Sequence, residues 1–374
     1  MSDFFPMDQI SRITEPLHWD DRKNALMVEA CRDMAEFHYK NSDDVRALYD
    51  SRGYRPGSLL KESDLQGLPY FGVSAMKYFL MTSQPADRAV LKLTSSGTKG
   101  QKTQVWFDQA SLDRAQGMLD VLWEQEGLTS DKPTNYACFI YDPDEARDLG
   151  IAFSIKNEQR FAPAKNSFFT IRKNEKGEWE FQKERTLLTL KAYVAQGLPV
   201  RILGVPSFIH ELVLHLKEAG PLTLPCGSFM FTGGGWKAAE DKSITREQFR
   251  EEVFQTLGIP AENIRDGFGM AEHGAPYIEC EAHRFHIPVY NRILVRDPVT
   301  LTVVAPGKTG LMEFISPLNT MMPSLAILST DLGYIDPLPC ACGKRSPTFT
   351  LVRRGGVQKH KGCAITAGEI VKRG

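Results

Sequence analysis

"LKLTSSGTKGQKTQVWFD", residues 91–108, sets Thr94, Ser95, Ser96, Gly97, Thr98, Lys99 and Gly100 between two short apolar runs. Hydroxyls, glycines and a lysine make poor core and poor helix. They do make a loop whose backbone amides, hydroxyls and ammonium can surround phosphate oxygens. A polar hairpin turn explains the same composition, because Ser, Thr and Gly are ordinary turn formers. The Walker A order is absent, so the rest of the chain must decide between the two readings.

Outward from the loop, "LKLTSSG" and "TQVWF" read as short strands, followed by a helix from about Ser111 to Glu126. "NYACFIY" (135–141), "PVRILGVPS" (199–207) and "GSFMFTGGGW" (227–236) are further strand-like runs, the last ending in Gly233, Gly234 and Gly235. Helical patterns lie at 184–197 and 206–220, and a single helix is expected over 21–50 from Met27, Ala30, Met34 and Phe37. Alternating strand and helix predicts an α/β fold with much parallel sheet. From Tyr277 onward the pieces shorten between Pro, Gly and Asp, predicting a small β-rich subdomain.

With 374 residues, 42% hydrophobic and 24% charged, the chain has ordinary globular usage and room for two or three packed lobes. A net charge of -1 leaves no footprint for nucleic acid or an anionic membrane surface. No apolar run approaches the roughly 18 residues that span a bilayer. "MSDFFPMDQ" is not a secretory signal, and seven cysteines without one suggest reduced thiols or metal ligands in a cytoplasmic protein.

Ligands of open α/β sheets bind beyond the carboxyl ends of strands. Three such turns are unusual here: 94–100, 233–235 and "DGFGMAEHG" (266–274). "LTSSGTKG" resembles the phosphate loop of the adenylate-forming (acyl-activating) superfamily, usually Ser/Thr-Ser-Gly-Thr-Thr-Gly. "FGMAE" (268–272) resembles that superfamily's Tyr-Gly-x-Thr-Glu, and "GKTGLMEF" (307–314) its Gly-x-x-Gly-Glu-Leu turn. "STDLGYI" (329–335) is similar to its Thr-Gly-Asp motif, and "RRGGVQKHKGCAITAGEI" (353–370) to its hinge. The resemblance implies the superfamily's N-terminal domain fold over 1–352, including the β-rich part from about 277, then a hinge and tail over 353–374.

It also implies roles. Residues Thr94 to Gly100 would hold the β- and γ-phosphates of ATP, and Gly233, Gly234 and Gly235 would line the adenine pocket. Phe268, with Gly269 and Met270, would pack on the adenine. Glu272 would help hold Mg²⁺, and Asp331 would accept the ribose hydroxyls with Arg353 nearby. Some positions depart from the pattern: Lys99 replaces a Thr, Phe268 and Ala271 lack hydroxyls, and Gly355 and Gly356 replace the hinge Asp. The sequence ends at Gly374, before the superfamily's usual C-terminal domain and its catalytic lysine, so catalysis by domain rotation is not expected.

The wording of "LPYFGVSAMKYFLMTS", "FTGGGWK", "DGFGMAEHGAPYIEC", "TDLGYID", "CACGK" and "KGCAIT" resembles the acyl-protein synthetases, LuxE-type long-chain fatty acid–protein ligases. That resemblance implies adenylation of a fatty acid and transfer to a cysteine near the C-terminus. An acyl reductase partner, with an acyl transferase in the same system, would take the acyl group on to a fatty aldehyde in bioluminescence. Cys363 is the candidate acceptor, with Lys359, His360 and Lys361 able to favour its thiolate and His360 to act as general base. The alternative is a residue chosen for size at a hinge position. Competing whole-chain readings are a phenylacetate–CoA-ligase-like enzyme and a catalytically silent nucleotide-binding protein.

Cys280, His286, Cys340 and Cys342 supply three thiols and an imidazole, a set suited to structural Zn²⁺, with His283 an alternative to His286. The competing reading is small buried thiols at strand turns.

Overall fold

The computed structural model describes residues 5–94, 103–145, 159–236 and 244–354. The chain forms two compact units. The first holds described residues 5–94, 103–126 and 269–354, and the second holds described residues within 127–268.

The first unit begins with helices that the sequence pattern merges. In place of one helix over 21–50 there are two, Asp21–Asn41 and Asp43–Ser51. Asp20 caps the first by accepting from the Lys23 amide at 2.8 Å. Ser42, extended at φ -132°, ends it by donating its amide to the His38 carbonyl. The run Asn41-Ser42-Asp43-Asp44 is rich in residues that favour caps over helix interiors, which explains the break. Strand β1 is Phe71–Gly72, and β2 (Leu91–Thr94) pairs antiparallel with β3 (Gln104–Phe107), as the flanks of the polar loop predict. Asp108 then caps the helix Gln109–Gln125.

The second unit is an α/β sheet built from β4 (Thr134–Tyr141), β5 (Ala164–Lys173), β6 (Trp179–Phe181), β7 (Val200–Gly204), β8 (Phe229–Gly233) and β9 (Ile264–Phe268). They lie in the order β9-β8-β7-β4-β5-β6, parallel except for the antiparallel β5–β6 pair. Every residue of β4 and β7 is buried, the mark of strands covered on both faces. Helices Lys183–Gln196, Pro206–Ala219 and Arg246–Leu257 alternate with the strands. The α/β expectation is therefore met.

The chain then completes the first unit with β10 (Tyr277–Ile278), β11 (Phe285–His286), β12 (Arg292–Arg296), β13 (Gly310–Ile315), β14 (Ala326–Ile335) and β15 (Thr348–Arg354). Strands β11-β15-β14-β13-β12 form an antiparallel sheet in that order. The short pieces from Tyr277 are strands, as expected. β14 is long enough to pair with β15 along Asp331–Ile335 and, at its other end, to take β1 in parallel through Phe71↔Ile327 and Gly72↔Leu328. At the bulge in β14, a Cβ on Gly333 would lie 2.5 Å from both Met312 Sδ and the Thr350 carbonyl oxygen. Only glycine lets three strands close there.

Candidate active site and a cysteine–histidine cluster

In the second unit, β8 and β9 run parallel with Thr232 opposite Asp266 and Gly233 opposite Gly267. Their carboxyl ends therefore meet at one edge of the sheet, where ligands of such sheets bind. That register brings Gly233 and Phe268 together. Gly234 and Gly235 have φ of 80° and 66°, a left-handed turn that glycine adopts without strain. A Cβ on Gly235 would meet nothing within 4 Å, so there the glycine serves backbone conformation rather than space.

Two anchors hold this turn. Thr232 donates its hydroxyl to the Asp266 carboxylate at 2.9 Å, and the Gly267 amide reaches the same oxygen at 3.1 Å. On the far side, Trp236 packs edge-on against His210 and Phe249 at 5.2 and 5.9 Å. His210 in turn lies 3.0 Å from Glu252. Asp266 and Trp236 lie within the quoted stretches "DGFGMAEHG" and "FTGGGWK", but residue type alone gives neither of them, nor His210, a role there. Their role depends on contacts made through the fold: Thr232 for Asp266, His210 and Phe249 for Trp236, and Glu252 for His210.

In the first unit, the turn after Phe268 is closed by the His273 and Gly274 amides, both donating to the Met270 carbonyl. Glu272 is buried in this turn. His273 is fully buried and stacked on Tyr277 with their planes 3° apart, its Nε2 lying 2.9 Å from the tyrosine oxygen. Burial holds its imidazole neutral, at about 3. Glu272 thus sits in a turn whose next residue packs into the aromatic cluster of Tyr277, Phe314 and Phe349.

Asp331 is also buried, in the middle of β14, with its amide donating to Ser329 Oγ at 2.9 Å. The register sets Arg354 opposite Asp331 and Arg353 opposite Leu332. Side chains alternate along a strand, so the exposed Arg353 lies on the other face of the ladder from Asp331. Thr94 ends β2. Ser95, Ser96, Gly97, Thr98, Lys99 and Gly100, like His360 and Cys363, lie outside the described residues.

The four predicted metal ligands do come together. Cys280, His286, Cys340 and Cys342 offer ligand atoms that all lie within 4.8 Å of one another. Cys280 Sγ is 3.6 Å from Cys340 Sγ, and His286 Nε2 is 3.1 Å from Cys342 Sγ. His283 is turned instead toward Glu279, 3.7 Å away, so His286 is the imidazole of the group. The other nitrogen of His286, Nδ1, lies 2.9 Å from Ser346 Oγ. Burial pushes the Cys280 and Cys342 thiols up and the His286 imidazole down, to about 4.

The whole described chain can be compared with known folds. It superposes on 2-hydroxyisobutyryl-CoA ligase, solved in the postadenylation state with 2-HIB-AMP, with a TM-score of 0.67 at 14% identity. The match covers 95% of this chain and 75% of that one. The fold is that of an adenylate-forming enzyme.

A family model described as acyl-protein synthetase, LuxE, matches residues 6–371. The chain belongs to that family and is a ligase. Two relatives carry the name long-chain-fatty-acid–luciferin-component ligase. The one from Vibrio harveyi is 25% identical over 368 residues, covering 97% of this chain and 93% of its own. The one from Aliivibrio fischeri is 25% identical over 379 residues, covering 98% and 94%. Among the described residues no helix is long and apolar enough to cross a membrane.

Proposed function

We propose that the protein activates a long-chain fatty acid with ATP and then carries the acyl group on Cys363, for delivery to an acyl reductase partner. The observation that carries this reading is the family match over residues 6–371, joined by two relatives named as fatty-acid ligases.

In the first step a carboxylate oxygen attacks the α-phosphorus of ATP, forming the acyl–phosphate bond as pyrophosphate leaves. No base is needed, because the acid is already ionised near neutral pH. The protein's task is to position two anions and to neutralise the charge spreading over phosphate oxygens. The loop from Thr94 to Gly100 supplies amides, hydroxyls and the Lys99 ammonium to the β- and γ-phosphates. Adenine packs between Phe268 and the glycine turn 233–235, flanked by Gly269 and Met270. Asp331 accepts from the ribose hydroxyls. The buried Glu272 carboxylate suits a hard cation, and Mg²⁺ held there would offset phosphate charge. Arg353, on the opposite face of the β14–β15 ladder, is left a peripheral role.

In the second step the Cys363 thiolate attacks the acyl carbonyl, forming a thioester as AMP leaves. His360 takes the thiol proton. The likeness to a CoA ligase fold favours one competing acceptor, the free thiol of coenzyme A.

The test is exchange of radioactive pyrophosphate into ATP, driven by myristate and compared with phenylacetate and with no acid. Myristate should drive it. Cys363→Ser should keep that exchange and lose hydroxylamine-labile labelling of the protein by radioactive fatty acid. Label passing to coenzyme A with the variant as with wild type would instead establish the CoA ligase. Exchange driven only by phenylacetate would overturn the fatty-acid reading.

A further inference from the structure

We infer that Cys280, His286, Cys340 and Cys342 bind one structural Zn²⁺ that ties the β10–β11 hairpin to the β14–β15 loop. The site stands on its own geometry and does not depend on the ligase chemistry proposed above.

The donors come from two turns 60 residues apart in sequence. Cys280 opens the hairpin turn, where the His283 amide donates to the Cys280 carbonyl at 2.9 Å and the Cys280 amide to the Arg284 carbonyl at 3.0 Å. His283 adopts φ 58°, the left-handed conformation that returns the chain toward β11 and His286. Cys340 and Cys342 lie on the second turn, closed by the Gly343 amide donating to the Cys340 carbonyl at 3.2 Å, with Gly343 at φ 80°. Both turns place a cysteine at the start of a tight loop, which aims the thiols inward.

The spacing fits a single tetrahedral ion. Zn–S near 2.3 Å and Zn–N near 2.0 Å place ligand atoms about 3.5–3.8 Å apart around a tetrahedron. The observed 3.6 Å between Cys280 and Cys340, and 3.1 Å between His286 and Cys342, lie close to that edge length. A polynuclear iron–sulfur cluster would hold its ligands farther apart. Three thiolates and an imidazole, with no oxygen donor, select zinc over magnesium or calcium. The set already numbers four, so the shell is closed and offers no open position for catalysis.

The surroundings are built for a ligand. With Nε2 toward the metal, Nδ1–H of His286 donates to Ser346, the arrangement that fixes ring orientation in metal-bound histidines. Lys344, between the two cysteines and Ser346 along the loop, straps the same loop to Glu281 at 2.8 Å and to the buried Glu126 at 3.1 Å. The consequence within the first unit is specific. The hairpin follows the turn that carries Glu272, and β14 carries Asp331. Zinc there would tie the segment that follows the Glu272 turn to the loop that follows β14.

Metal analysis of the purified full-length protein should find one zinc per chain, released by a mercurial reagent that titrates thiols. Exchange of the wild-type protein into Co²⁺ should give the visible bands of a tetrahedral site with thiolate charge transfer. Cys340→Ala/Cys342→Ala should lose the metal and unfold at a lower temperature, while Cys226→Ala should keep both metal and stability. Wild-type protein that holds less than a tenth of an equivalent after refolding in zinc overturns the inference. So does a Cys280–Cys340 disulfide found by mass spectrometry, or an octahedral cobalt spectrum. Because cobalt binding is read on the wild-type chain, a double variant that fails to fold leaves the test intact.

Discussion

Glu313 and Arg296 make the sharpest test of the energetics of the β-rich sheet. Both sit on paired strands, β13 and β12, and Glu313 is fully buried. Arg296 donates from Nε to one carboxylate oxygen, and from its remaining nitrogens to the Leu301 and Gln66 carbonyls at 2.9 and 3.0 Å. The other oxygen, Oε1, has no hydrogen-bond partner among the described residues. Burial disfavours the charged form more than Arg296 favours it, so the Glu313 carboxyl is pushed up from 4.5 to about 7. A group whose pKa is raised by folding contributes its full stability below its unfolded pKa and loses it as pH climbs through the folded value. Across the roughly 2.5 pH units between the two, at about 1.4 kcal/mol per unit, the loss is about 3–4 kcal/mol. Glu313→Gln keeps the shape and removes the titration. It should match wild type near pH 4.5 and become more stable by up to about 3–4 kcal/mol by pH 8. Urea unfolding of both proteins at a series of pH values measures the difference directly. If Glu313→Gln is instead the less stable protein at pH 8, the pair is ionised at its core and the ranking of burial over Arg296 is wrong.

Arg292 should not tolerate lysine. Its guanidinium donates to Glu62, Asn24 and the Val289 and Asn291 carbonyls at 2.6 to 2.9 Å and lies 3.8 Å over Trp19. A lysine cannot reproduce that planar fork, so Arg292→Lys should cost about 2–4 kcal/mol in the same urea assay, and a loss under 0.5 kcal/mol would count against it. Asp331→Ala should weaken ATP binding by about 1.5–3 kcal/mol, roughly 10- to 100-fold, through loss of a buried charged acceptor. Unchanged fatty-acid-driven pyrophosphate exchange in that variant would refute the ribose assignment.

The sheet of the second unit was largely legible because its signals are local. Runs such as "NYACFIY" are apolar over strand length, and the helices between them repeat their apolar residues within one or two turns. The break at Ser42 was not, since periodicity continues across it and only capping chemistry marks the stop. Nor was the joining of the β-rich third to the N-terminal residues. The two-residue strand β1 carries too little sequence to announce that Phe71 pairs with Ile327.

The candidate residues divide the same way. Gly233 and Phe268 stand at the carboxyl ends of parallel strands, where strand prediction plus topology already implies a shared edge. Asp331 sits mid-strand in an antiparallel ladder, and no periodicity says which face it takes. Only the register separates it from Arg353. For the cysteines, residue type suggested a metal, but Cys340-x-Cys342 alone cannot say whether Cys280 is close or which histidine faces inward. Backbone conformation decides that. His283 at φ 58° is spent on making the turn, which sends His286 on to β11 and into the group. A histidine that shapes the loop thus leaves its neighbour to serve as ligand, so the choice between the two imidazoles is a consequence of hairpin geometry rather than of composition.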